Sequence, residues 1–240
     1  MSVRIGILGS QGRMGKIVAD LVRTEFSAQA SLHDEADRGS KLEDLLTADV
    51  VIDFSLPEAM SELVKIARAA AAKGQSLPAF VIASTGWKID DRRELEELAK
   101  LTPCLMSSNF STGVMVLLEV LRNASPFLEK LGYTPVITEA HHKHKKDSPS
   151  GTAISLQRAI APAGPGNVQT LSVRAGEVIG DHEATFYGVA DKLVFGHFAQ
   201  DRSIFARGAI QVALWLAKKP RGQQKGLLGI DTYFQELKNV

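Results

Sequence analysis

Short, nearly uninterrupted apolar runs at residues 3–8, 50–54, 79–83 and 104–106 alternate with stretches of helical apolar spacing, and this constrains the fold more than any other feature. A strand that is apolar on both faces is buried on both, and two such strands joined through a helix run parallel. The helical stretches are 16–23, where Ile17, Val18, Leu21 and Val22 make one stripe, 57–73, with Pro57 in its first turn, and the charged stretch 90–100. Residues 28–33 read as a further strand and 42–46 as a short helix. The expected fold class is α/β, a Rossmann-like parallel sheet with right-handed crossovers.

Between the first strand and first helix stands Gly9-Ser10-Gln11-Gly12-Arg13-Met14-Gly15. Glycines there permit a tight turn and let a pyrophosphate approach the helix N-terminus. In such sheets ligands sit beyond the carboxyl ends of the strands, which here are Phe54-Ser55, Ala83-Ser84-Thr85-Gly86 and Ser107-Ser108-Asn109-Phe110. Any one of these small polar exits is ordinary turn chemistry; three on one edge point to a nicotinamide-dinucleotide crevice. Asp34, 19 residues after Gly15, is the candidate acid for the adenosine ribose hydroxyls. No arginine is adjacent to it, Arg38 being four residues on, which tilts the expectation from NADPH toward NADH.

From residue 114 the pattern changes. An apolar helix at 115–128 precedes a strand at 133–140, a helix at 152–161, a loop at 163–166 and three strands read as antiparallel, 169–175, 184–189 and 191–199. A helix at 206–218 follows. The expected organisation is a dinucleotide-binding domain (1–112), a smaller α+β domain with a mixed or antiparallel sheet (113–203), and a C-terminal segment (204–240) returning to the first domain.

The loop between that strand and the helix at 152–161 packs three imidazoles and three ammonium groups into residues 141–146. Ser150-Gly151-Thr152 then supplies hydroxyls, unpaired backbone N–H groups and the positive end of a helix dipole, a cradle for a carboxylate or phosphate. A solvated basic face and a phosphate-contacting nucleic-acid patch are the competing readings. The composition opposes the second, because a net charge of +1 provides no field for nucleic acid or an anionic membrane. Cys104 is the one cysteine and no metal-ligand spacing is present, so neither a disulfide framework nor a metal is expected. With no signal-like start and no apolar run of the roughly 20 residues that span a bilayer, the expected location is the cytoplasm.

The stretch Glu139-Ala-His141-His142-Lys-His-Lys145-Lys-Asp147-Ser-Pro149-Ser150-Gly151-Thr152-Ala153 resembles the E-x-H-H-x-x-K-x-D-x-P-S-G-T-A signature of the 4-hydroxy-tetrahydrodipicolinate reductase (dihydrodipicolinate reductase) family. The glycine turn, Asp53-Phe54-Ser55 with Pro57-Glu58, Ser84-Thr85-Gly86 and Asn109-Phe110-Ser111 with Gly113 follow in the family's order, so the resemblance spans nearly the whole chain. It implies NAD(P)H in the first domain and a cyclic dicarboxylate in the second, which thereby serves substrate binding and oligomerisation, in the diaminopimelate route to lysine. It further implies His141 as general acid, Lys145 as its assistant and a carboxylate ligand, His142 as a substrate contact, and Ser150, Gly151 and Thr152 around the other carboxylate. A homo-oligomer is implied, a tetramer or else a dimer. Two rival functions remain: another nicotinamide-dependent reductase or dehydrogenase of an amino-acid-derived dicarboxylate, and a non-catalytic nucleotide- or nucleic-acid-binding module.

Overall fold

The computed structural model describes residues 2–161, 168–220 and 226–238; the loop expected at 163–166 lies outside them. In chain order the elements are β1 (Val3–Leu8), α1 (Arg13–Arg23), β2 (Ala30–Ala36), a 3₁₀ turn (Leu42–Thr47), β3 (Val50–Asp53), α2 (Pro57–Ala72), β4 (Ala79–Ile82), α3 (Ile89–Leu98) and β5 (Cys104–Met106). There follow α4 (Thr112–Lys130), β6 (Thr134–His141), α5 (Gly151–Ile160), β7 (Gln169–Arg174), β8 (Asp181–Tyr187), β9 (Lys192–Phe198), α6 (Ser203–Leu216), β10 (Leu228–Gly229) and α7 (Ile230–Leu237). The chain divides into two compact units, Met1–Phe110 with Phe205–Val240, and Ser111–Ile204.

The first unit is built on a six-stranded sheet of order β10-β5-β4-β3-β1-β2, parallel throughout. Its central strands are the apolar runs: Ile5, Ile7, Val50, Val51, Ile52 and Phe80 to Ile82 are fully buried. Each such side chain contributes about 1.5–3 kcal/mol on burial, so these strands dominate the unit's stability. β2 differs. It sits at the sheet edge, its middle residues are half-buried and polar, and it runs from 30 to 36 instead of the expected 28–33. The strand order reverses at β1, which pairs with β2 on one side and β3 on the other, and that switch point is where an open α/β sheet leaves a crevice.

In the second unit the sheet has order β7-β6-β8-β9. β6, β8 and β9 are antiparallel, but β7 lies parallel to β6, a correction to the antiparallel reading of 169–175. The physical reason is α5: a strand that leaves through a helix before returning to the same sheet comes back parallel. β8 also begins earlier than expected, at Asp181, and β6 extends to His141, placing that imidazole on a strand and not in the loop. Ile137, Ala184 and Phe186 join Leu117, Leu121 and Leu156 of α4 and α5 in a core on one face. On the other face Leu171, Val173, Tyr187, Val194 and Phe198 are exposed.

Candidate active site

The crevice at the β1/β3 switch has a volume of about 710 Å³ and is lined by Gly9, Gln11, Gly12, Asp37, Arg38, Ser40, Phe54 and Ser55 among others. Two glycines explain the turn at its floor. Gly9 has φ of 85°, and a Cβ there would stand 2.9 Å from the backbone of Phe54 and Ser55. A Cβ on Gly15 would stand 2.2 Å from the Gly9 carbonyl oxygen, so only glycine lets α1 start this close to β1.

Of the expected cofactor residues, Gly9, Gln11, Gly12 and Phe54 line this crevice. Arg13 and Met14 open α1, and Ala83, Ser84, Thr85 and Ser107, Ser108, Asn109 follow β4 and β5 along the same carboxyl edge. Ser10, Ser84 and Phe110 are buried, Phe110 meeting Phe54 edge-on at 6.5 Å between ring centroids. Asp34 lies inside β2, opposite Gly6, and not at the strand's end. The acid just past that end is Asp37. Its carboxylate accepts the Gln11 N–H at 2.8 Å and the Arg38 N–H at 2.7 Å, bonds that hold it below the usual carboxylate range. Arg38, adjacent to this acid, lines the same crevice.

Asp53, at the end of β3, is also buried. Its carboxylate accepts the Ser55 N–H at 2.8 Å and the hydroxyls of Ser55 and Ser84, bridging the exits of β3 and β4. Burial raises its pKa against the opposing pull of those hydrogen bonds.

In the second unit burial sorts the basic cluster. His141 and Ser150 are buried, His142 and Lys145 half-buried, and Lys143, His144 and Lys146 exposed. His141 Nδ1 is hydrogen-bonded to Glu139 Oε2. Glu139 is fully buried, and Arg174 of β7 donates to both its oxygens, at 3.0 and 2.7 Å, while also donating to the Asp147 carbonyl at 2.6 Å. Burial alone would raise the Glu139 pKa; hydrogen bonds from Arg174, Ser172 and His141 overcome it and bring the value to about 2. An ionised Glu139 only accepts, so His141 carries its hydrogen on Nδ1 and exchanges protons through Nε2. A Cβ at Gly180 would come within 3.2 Å of that Nε2; glycine there keeps the nitrogen clear. Burial lowers the His141 pKa; Glu139 pulls the other way, and the charges of Lys145 and Arg174 add to the lowering.

His182 of β8 meets the His141 ring edge-on, with centroids 5.0 Å apart, and its Nε2 lies 3.1 Å from Ser150 Oγ. Ser150 caps α5, accepting the Ala153 N–H at 3.1 Å, so the proposed acid and the helix-start cradle adjoin through His182. Lys145 Nζ is 2.8 Å from Asp147 Oδ1. Glu139, His141 and His182 present donor atoms within 4.8 Å of one another, a spacing that could hold a metal ion. The Arg174 guanidinium occupies both Glu139 oxygens and places a positive charge where a cation would bind, so the donor set suits a proton donor better than a metal. Arg174 and His182 were not singled out in the sequence, and Glu139 stood in the signature stretch without a role; the strand alternation that puts Glu139 and His141 on one face was the available signal.

Residues 3–110 match the family described as dihydrodipicolinate reductase, N-terminus, and residues 113–232 the one described as dihydrodipicolinate reductase, C-terminus. A 4-hydroxy-tetrahydrodipicolinate reductase of Caulobacter vibrioides is 36% identical over 246 residues, covering 92% of this chain and 94% of its own. One of Campylobacter jejuni subsp. doylei is 32% identical over 260 residues, covering 99% of each. In fold, a dipicolinate-bound dihydrodipicolinate reductase from Paenisporosarcina sp. TG-14 superposes with a TM-score of 0.70 at 20% identity, over 95% of this chain and 98% of that one.

Proposed function

The chain belongs to the dihydrodipicolinate reductase family, and on that premise we propose that it reduces 4-hydroxy-tetrahydrodipicolinate with NAD(P)H in diaminopimelate and lysine biosynthesis, His141 donating the proton. Loss of the 4-hydroxyl as water leaves a conjugated ring. Hydride from the nicotinamide adds to that ring, the displaced electron pair becomes an enamine, and a proton on carbon completes the reduction. One observation carries the assignment of the acid: His141 has Nδ1 held by a buried, ionised carboxylate and Nε2 left clear by Gly180. The N-terminus of α5 and Lys145 receive the two carboxylates, with His142 beside them.

Binding a dianion next to His141 raises its proton affinity, countering burial and the cationic neighbours, so the acid is charged when hydride arrives. Because the acid must be protonated, activity falls as pH rises. The free protein sets the limb in kcat/KM, which falls below the ordinary histidine value of about 6.5, and the limb in kcat lies higher. Purified protein supplied with freshly generated substrate oxidises NADH or NADPH under this reading; no oxidation of either sinks it. Asp37 accepts the ribose diol of NADH, and Arg38 stands ready for the 2′-phosphate of NADPH, so both nucleotides serve. Arg38→Ala then raises KM for NADPH several-fold more than for NADH.

The exposed apolar sheet face of the second unit supports a homo-oligomer formed face to face. Its members are strongly exposed for their size, Phe198 at 58% and Leu171, Tyr187 and Val194 at 48% each. Sedimentation of Phe198→Asp shows smaller particles than the parent protein on this reading.

A further inference from the structure

Ser150 Oγ has one hydrogen to donate and two lone pairs. One lone pair takes the Ala153 N–H of the helix cap. The contact with His182 Nε2 at 3.1 Å uses either the second lone pair, with Nε2–H donating, or the hydroxyl hydrogen, with Nε2 accepting. Only the first leaves Ser150 a hydrogen for a substrate carboxylate. His182 itself decides between them. It is 3% exposed, and its Nδ1 is buried without a hydrogen-bond partner. A hydrogen on Nδ1 would be an orphaned buried donor, whereas on Nε2 it is satisfied, and a bare Nδ1 lone pair is the lesser penalty.

We propose that His182 is a positioning residue: as the Nε2–H tautomer it donates to Ser150 and so turns the Ser150 hydroxyl outward as a donor to the substrate carboxylate. The assignment rests on the reductase reading only for the identity of the dicarboxylate. Neutrality of the ring is secured by its surroundings: the pKa is lowered to about 3 by burial and by the neighbouring His141, with Lys145 and His197 adding to the lowering and Glu139 opposing it. A cationic His182 would also donate through Nε2, but would bind a carboxylate by charge with or without Ser150; the neutral ring acts only through the hydroxyl.

The same arrangement occurs at the start of α4, where Ser111 caps the helix and lies 3.0 Å from His197 Nε2. There the imidazole is not fully buried, which makes the α4 pair an internal reference for the α5 pair.

The test is a double-mutant cycle read by calorimetric binding of pyridine-2,6-dicarboxylate and by steady-state kinetics. Ser150→Ala and His182→Leu each weaken dicarboxylate binding about tenfold and leave KM for the nucleotide unchanged, and the double variant is no weaker than Ser150→Ala. His182→Gln, whose amide can donate from the same place, restores binding. Additive losses, or full binding in His182→Leu, overturn the proposal. Nitrogen-15 imidazole NMR of the unmodified protein decides it without any variant: His182 shows a protonated Nε2 and a bare Nδ1, and the opposite tautomer or a cation overturns it. Failure of wild-type turnover with intact coupled binding would strike the reductase reading alone; absent dicarboxylate binding would strike both.

Discussion

Asp53, at the end of β3, and Glu139, two residues before the end of β6, are both buried carboxyls, one in each unit, and their proton affinities move in opposite directions. Asp53 is met only by neutral donors, two serine hydroxyls and backbone N–H groups, and burial wins. Glu139 is gripped by a guanidinium through two hydrogen bonds, and the pairing wins. Equal burial therefore says little about charge; the formal charge of the donors decides it. The first acid is a brace between two turns. The second is a fixed anion that can orient and stabilise an imidazolium.

The widest separation between the two should appear in catalysis. Glu139→Gln removes the anion while keeping the shape, and kcat falls by roughly 10²–10⁴, the usual span for disabling general acid–base catalysis; stopped-flow turnover within threefold of the parent would erase the contrast. Next in size is stability. Arg174→Met strands Glu139 as an unpaired buried charge and lowers the unfolding free energy in urea by about 3–5 kcal/mol.

The pH dependence follows, with opposite signs at the two acids. Glu139 has a folded pKa of about 2 against an ordinary 4.5, so its stabilisation is complete above the higher value and is lost as pH falls toward the lower. Asp53 binds its proton more tightly folded than unfolded, so its effect runs the other way, stability declining as pH rises from 3.8 toward its folded value. Acid titrations of unfolding for Glu139→Gln and Asp53→Asn should therefore depart from the parent in opposite senses. Smallest is the neutral-pH effect of Asp53→Asn. Serine hydroxyls can reverse their bonds to suit an amide, and both melting behaviour and NADH binding stay close to the parent, within about 1 kcal/mol.

The sequence carried the parallel sheet because its central strands are apolar on both faces, and it carried the start of α5 because Ser150 to Thr152 is a local cap-and-helix pattern. It failed where an element is polar or a partnership is distant. The end of β2 was misplaced because an edge strand tolerates Asp34 and Glu35, which read as a turn, so the residue just past the true end, and lining the crevice, is Asp37. The parallel direction of β7 was legible in principle from the intervening helix. The pairing of Arg174 with Glu139, 35 residues apart, was not, since it arises only when β7 lies beside β6. The role of His182 depends in the same way on cross-strand register, which sets it opposite Glu139.

The first unit is assembled from two pieces of chain, with residues 111–204 between them. During synthesis the second unit has all its residues once position 204 has emerged, while the sheet of the first still lacks β10 at the flank of β5. The unit begun first is thus finished last. Until residues 205–240 arrive, the outer edge of β5 is unpaired and a neighbouring nascent chain could capture it. A chain arrested after residue 204 should thus protect the amides of β6 and β8 while leaving the outward-facing amides of β5 in exchange with solvent.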